Sequence, residues 1–165
     1  MNHKLRGHPI KGKDLESGKI LTTWWEPNAS YHWDTGVAIG RYLAGFKAGK
    51  LVGVKCTSCK RLLIPPRAFC EQCFVPIHEW VEFPGTGIVN TYSVTYVKWD
   101  RSTVEKPSIP AVIEIDGATQ GYGIMHMLGE VDPKEIKIGM KVKACWKPAG
   151  EREGSVTDIM YFKPV

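Results

Sequence analysis

The spacing of apolar and polar residues along this chain changes character twice. Residues 1–27 are polar and irregular at first. They then turn aromatic at Ile20-Leu21-Thr22-Thr23-Trp24-Trp25-Glu26-Pro27, with no clear period. Such a stretch reads as an arm whose paired tryptophans dock on the protein's own body or on a partner, since cores and interfaces both use tryptophan. A helical period follows, in which Val37, Ile39, Tyr42, Leu43 and Phe46 fall mostly on one face. Asp34 or Thr35 can cap this helix and Gly49 can stop it. Gly36, Gly40 and Gly45 each weaken it by roughly 1 kcal/mol relative to alanine, so it needs packing to persist.

Leu51–Lys55 and Arg61–Ile64 read as two short strands, ended by Pro65-Pro66-Arg67 because proline has no amide to donate. After Pro76 the pattern is all-β. Trp80–Phe83 alternates and Pro84–Gly87 turns; Ile88 to Trp99 reads as one long strand. Ile109–Ile115, Tyr122–Leu128, Lys141–Trp146 and Val156–Phe162 complete five main strands. Asp116-Gly117 is a turn, and Asp132-Pro133 starts a polar link. Five strands with uneven loops over about 90 residues suit a small OB-fold barrel; a plain sandwich is the competing architecture.

Between these patterns lies the strongest chemical signal, Cys56-x2-Cys59 and Cys70-x2-Cys73. Each pair forms a knuckle that aims two thiolates at one point, and two knuckles close a tetrahedron around zinc. Four thiolates leave no open position, so the zinc is structural rather than catalytic. Disulfides and iron are the rival readings; the knuckles lack the glycine and proline usual in iron-binding rubredoxins. A ribbon of about 30 residues cannot bury a core alone, so the metal must supply much of its folding free energy. The expected class is mainly β. An N-terminal arm and helix occupy residues 1–49, a zinc ribbon residues 50–78, and a five-stranded OB-fold barrel residues 79–165.

Of the 165 residues, 43% are hydrophobic and 24% charged, enough for a packed core in a water-facing protein. No apolar run is long enough to cross a bilayer, and Met1-Asn2-His3-Lys4 does not begin a signal peptide. A cytoplasmic, reducing location and no membrane partner are therefore expected, where paired thiols hold metal more often than they form disulfides. Cys145 reads as a buried packing residue. The net charge of +5 is a mild bias toward phosphorylated or polyanionic partners.

Cys56-x2-Cys59, Pro65-Pro66-Arg67, Cys70-x2-Cys73, Gly85-x-Gly87-x-Val89-x-Thr91-Tyr92, Pro110-Ala111-Val112, Ile138-Gly139-Met140-Lys141-Val142 and Phe162-Lys163-Pro164 occur in that order. From about Tyr42 onward the chain resembles a zinc-ribbon/OB-fold family of small proteins associated with thiolase-like enzymes, long carried as a domain of unknown function. The resemblance implies a non-catalytic subunit of an acyl-CoA thiolase, a hydroxymethylglutaryl-CoA synthase-like enzyme or an aldolase. A thiolase-fold partner supplies the catalytic groups. The small protein docks by its arm and ribbon, and its barrel helps line the passage for a coenzyme A thioester. The first forty residues exceed the family pattern, and nothing carries over to them.

No Cys–His or Ser–His–Asp arrangement can be argued here, so no catalytic residue is expected. His3 and His8 fall in the N-terminus, and His32 stands beside Trp33. His78 follows the ribbon. His126 sits between Met125 and Met127 and could face a barrel groove, but a lone histidine without a partner reads as structural. For the coenzyme's phosphates the candidates are Arg67 first, then Arg61, Lys98 and Arg101. Arg67 could equally pack the ribbon on the barrel. Lys98 to Lys106-Pro107 reads as a polar loop at a barrel mouth.

The competing class is a nucleic-acid-binding zinc-ribbon/OB module. Tyr92 and Tyr96 would share one face of the long strand and Trp99 the other, and Gly87–Val97 carries no lysine or arginine. That pattern speaks against nucleic acid.

Overall fold

The computed structural model describes residues 9–30, 32–98 and 100–165, which divide into two compact units, residues 1–33 and 34–165. His3, His8 and Trp99 lie outside the described residues. In the first unit a short helix, α1 (Gly12–Glu16), precedes an extended stretch in which Leu21, Trp24 and Trp25 are exposed.

The second unit begins with α2 (Gly36–Lys47). The Asp34 carboxylate accepts the Gly36 amide at 2.6 Å. At the other end Gly49 takes φ +73°, the left-handed step that ends a helix. Tyr42 and Phe46 are buried, and Phe46 meets Trp146 edge-on at 5.5 Å. Val37 and Ile39, expected on the packed face, are exposed, so only the C-terminal half of the helix packs within this unit.

β1 (Leu51–Lys55) is the centre of a three-stranded sheet between β2 (Leu62–Leu63) and β3 (Glu79–Phe83). β3 was expected with the all-β stretch, but it pairs along its whole length with β1, from Leu51–Phe83 to Lys55–Glu79.

The main sheet runs β10 (Ile159–Pro164), β9 (Lys141–Trp146), β4 (Thr86–Tyr92), β7 (Pro110–Ile115), β8 (Gly123–Met127). A parallel bridge between Leu128 and Phe162 brings β8 back to β10, where the Gly129 amide donates to the Phe162 carbonyl at 2.9 Å. This closes the five-stranded OB-fold barrel. Val89, Ile113, Val142, Ile159 and Phe162 fill it. β4 and β7 approach so closely that a Cβ on Gly87 would stand 2.2 Å from the Glu114 carbonyl oxygen, which only glycine permits. Leu51 and Phe83 from the ribbon sheet, with Ile64 just after β2, belong to the same apolar cluster as the barrel interior.

The long strand expected from Ile88 to Trp99 is broken. A bulge lies between Val89 and Thr91, and the chain leaves the barrel after Tyr92. β5 (Thr95–Val97) then pairs with β6 (Thr103–Ser108) as a separate hairpin, so the expected polar loop is half strand. Pro107 is tolerated because β6 pairs on one side only. The last expected strand also starts later than Val156: Val156–Asp158 is a 3-10 turn. Among the described residues no helix is long and apolar enough to cross a membrane.

Candidate metal centre

The two knuckles repeat one backbone pattern. The Lys60 amide donates to the Cys56 carbonyl and the Cys56 amide to Arg61; the Phe74 amide donates to the Cys70 carbonyl and the Cys70 amide to Val75. Lys60 and Phe74 close the knuckles at φ +64° and +53°, the left-handed step usually given to glycine. The missing glycines therefore did not change the geometry.

The four sulfurs of Cys56, Cys59, Cys70 and Cys73 lie within 4.8 Å of one another, and Cys59 and Cys70 are 3.7 Å apart. Zinc–sulfur bonds of 2.3 Å in a tetrahedron put neighbouring sulfurs about 3.8 Å apart, so the donor set fits tetrahedral zinc. Cys56 and Cys70 are fully buried. Zinc here would hold the knuckles together and leave no position for substrate.

Arg61, a candidate for phosphate, is engaged inside the ribbon. Its Nε donates to Cys59 Sγ at 3.3 Å and its Nη2 to Cys70 Sγ at 3.1 Å. Its Nη1 reaches Glu71 Oε1 at 3.0 Å and the Tyr122 hydroxyl at 2.6 Å. The Arg61 guanidinium holds the Cys59 thiol down to about 6. Tyr122 donates a short hydrogen bond to Glu71 Oε1. That bond, with the charges of Arg67 and Arg61, holds the Glu71 carboxyl down to about 2 against the cost of burial. Arg67 stands 3.1 Å from Glu71 Oε2 with 48% of its side chain exposed, and its guanidinium lies 5.7 Å from the Tyr122 ring. It thus meets the barrel's β7–β8 loop while keeping a solvent-facing side. The same loop holds β2 through Thr119, whose hydroxyl accepts the Leu62 amide at 2.9 Å.

Lys98 and Arg101 sit elsewhere, in the exposed turn between β5 and β6, where the Asp100 carboxylate accepts from the Ser102 amide and hydroxyl. Among the described residues no hydrogen bond or ion pair joins them to Arg61 or Arg67. Tyr92 is tied by its hydroxyl to the Ile136 carbonyl at 2.9 Å, whereas Tyr96 is half-exposed on the hairpin, so the two do not form one stacking face.

One cavity lies apart from the metal centre and shares no residue with it. It is a groove of about 420 Å³ at the β8–β10 seam, lined by Pro110, Met125, His126, Met127, Val156, Thr157, Ile159 and Met160. A second hollow of about 220 Å³ shares Pro110 and Met125 with it. His126 lies on the interior-facing side of β8 with Ile124 and Leu128. Its Nδ1 accepts the Met127 amide at 2.9 Å, which leaves Nε2 to donate to the Val156 carbonyl at 3.2 Å. It bridges the seam and has no acid or nucleophile beside it in these contacts. The methionines could have been noticed in the sequence: Met125 and Met127 take outward strand positions, where a barrel usually places polar residues.

Residues 43–79 match the rubredoxin-like zinc ribbon domain of ChsH2, and residues 80–147 match the ChsH2 C-terminal OB-fold domain. A DUF35 domain-containing scaffold protein of Methanocaldococcus jannaschii is 30% identical over 118 residues, covering 70% of this chain and 82% of the relative. The chain belongs to the DUF35 family. A probable enoyl-CoA hydratase alpha subunit of Thermomonospora curvata is 33% identical over 103 residues, 62% of this chain but 31% of that protein. Among solved structures, a chain of the Ltp2-ChsH2(DUF35) aldolase superposes with a TM-score of 0.60 at 26% identity, covering 81% of this chain and 98% of that one. As a DUF35 protein the chain joins a zinc ribbon with four clustered cysteines to an OB-fold barrel.

Proposed function

We propose that this DUF35 protein is a non-catalytic accessory subunit of a thiolase-fold enzyme acting on acyl-CoA. The enzyme would be of the acyl-CoA thiolase, hydroxymethylglutaryl-CoA synthase-like or aldolase type. The observation that carries the reading is the apolar, methionine-lined groove at the barrel seam, set in a fold shared with an aldolase component. Methionine side chains adapt to a flexible apolar chain such as an acyl or pantetheine group. A relative named as a scaffold protein and another named as an enoyl-CoA hydratase subunit support the same direction.

In this reading the ribbon zinc is structural, and the arm and ribbon dock on the partner. The barrel lines the passage for the coenzyme A thioester. Arg67, Lys98 and Arg101 keep exposed charge for its phosphates, while the guanidinium of Arg61 is already taken up. Reducing surroundings in the cytoplasm would keep the four thiols available for zinc.

The test is purification of the tagged chain from its native source. Recovery of a thiolase-fold protein, with acyl-CoA turnover by the complex and none by the chain alone, is the expected result. Recovery of nucleic acid, with salt-dependent affinity for oligonucleotides, would overturn the proposal.

A further inference from the structure

Arg61 touches both knuckles and the barrel at once. It follows the first knuckle, yet its fork reaches a sulfur from each knuckle: Cys59 at 3.3 Å and Cys70 at 3.1 Å. The remaining arm of the fork meets Glu71 at 3.0 Å and Tyr122, which lies in the barrel loop between β7 and β8, at 2.6 Å. The side chain is only 19% exposed, so these contacts form in a site largely removed from water. Tyr122 packs against the ribbon's own apolar cluster of Val54, Leu63 and Ile77.

Four thiolates around a divalent ion leave two negative charges in excess. A guanidinium offers a positive charge and rigid, directed N–H groups to offset them, which an ammonium cannot place on two sulfurs and a phenol at once. Hydrogen bonds to metal-bound ligands orient them and tune the ion's retention.

We propose that Arg61 is a positioning residue of the zinc centre. It clamps one thiolate of each knuckle and fastens both to the barrel through Tyr122 and Glu71, so that zinc retention and ribbon–barrel docking are coupled. The clamp stands whether or not the chain serves an acyl-CoA enzyme, because its consequences are read on the metal alone. The Tyr122 hydroxyl bonds Arg61 and Glu71 and no cysteine sulfur, so the effect of removing that hydroxyl alone passes to zinc through Arg61 or Glu71.

The test uses the full chain loaded with zinc, or with cobalt as a spectroscopic substitute, and the variants Arg61→Lys, Arg61→Gln and Tyr122→Phe. Transfer of zinc to 4-(2-pyridylazo)resorcinol reports retention. Both Arg61 variants should hold zinc about 10- to 100-fold more weakly, lysine failing to rescue because it lacks the fork. Tyr122→Phe should lose zinc faster than wild type by a smaller factor. In the cobalt protein, loss of N–H···S bonds in the Arg61 variants should move the thiolate-to-metal charge-transfer band to lower energy, a change that a merely structural role would not produce. Zinc affinity within about twofold of wild type in Arg61→Lys, with the cobalt band unmoved, overturns the clamp. If Arg61→Gln does not fold, Tyr122→Phe decides the coupling: a wild-type rate of zinc transfer refutes it, and a faster one supports it.

Discussion

Asp158 is buried, and three backbone amides close on its carboxylate, from Glu153 at 3.1 Å, Gly154 at 2.7 Å and Ser155 at 3.0 Å. Burial alone would raise its pKa. The amides of Glu153, Ser155 and Gly154 outweigh that and hold it below the ordinary carboxylate range. A depressed folded-state pKa gives stability that is complete above the unfolded value and is lost as pH falls through the folded one. Asp158→Asn should therefore melt at a lower temperature than wild type at neutral pH, and its melting temperature should fall less steeply in acid. Thermal melts from neutral pH downward check this; parallel declines in the two proteins would refute it. Phe74 makes a second case at this scale. It spends a left-handed backbone position on an exposed aromatic ring. Phe74→Gly should stabilise the zinc-loaded protein by roughly 0.5–1 kcal/mol in denaturant titrations, the relief of strain exceeding glycine's entropy cost.

Among the elements, β10 carries the most buried aromatic of the barrel. Phe162 is fully buried at the closing bridge, and Phe162→Ala should cost about 3–5 kcal/mol in equilibrium unfolding. An undiminished denaturation midpoint would mean that the seam does not bear on stability. Elements set by local chemistry were legible in the sequence: the helix ending at Gly49, the two knuckles, and the alternation of β7 and β9. Those set by tertiary context were not. Ile88 to Val97 is dominated by β-branched and aromatic residues, which outweigh Asn90 and Ser93 in the sequence, yet the bulge falls at Asn90 and the strand ends where the Ser93 amide turns to the Pro110 carbonyl. Strand propensity over Val156–Phe162 hides Asp158, although Ser155-x-x-Asp158 spells a capping box that starts the 3-10 turn and turns the preceding amides onto its carboxylate. Likewise, Tyr122 stands 61 residues from Arg61, and no spacing rule connects a phenol in a barrel loop to a metal ribbon.

At the scale of the second unit, part of the ribbon packs into the barrel's apolar interior, beside a second cluster around Val54, Leu63 and Ile77. Leu51, Ile64 and Phe83 cluster with Val89, Ile113 and Phe162. Removing zinc with a chelator at neutral pH should therefore lower the melting temperature of the unit as a whole, in one calorimetric transition. Two separated transitions would show that the barrel does not register the loss of the ribbon.

The closure of that barrel has a kinetic side. Among the described residues the backbone joins β8 to β10 through the Leu128–Phe162 bridge and the Gly129 amide, with side-chain bonds from His126 to the Val156 carbonyl and from Tyr161 and Lys163 to Glu130, whereas every other neighbouring pair of barrel strands shares a run of backbone partners. A ring parts first where its backbone ladder is shortest, at a free energy below global unfolding. Hydrogen exchange at Gly129 then counts those partings. Each one would free the β10-facing edge of β8, which stays paired with β7, so the width of the groove should follow how often the ring unlatches.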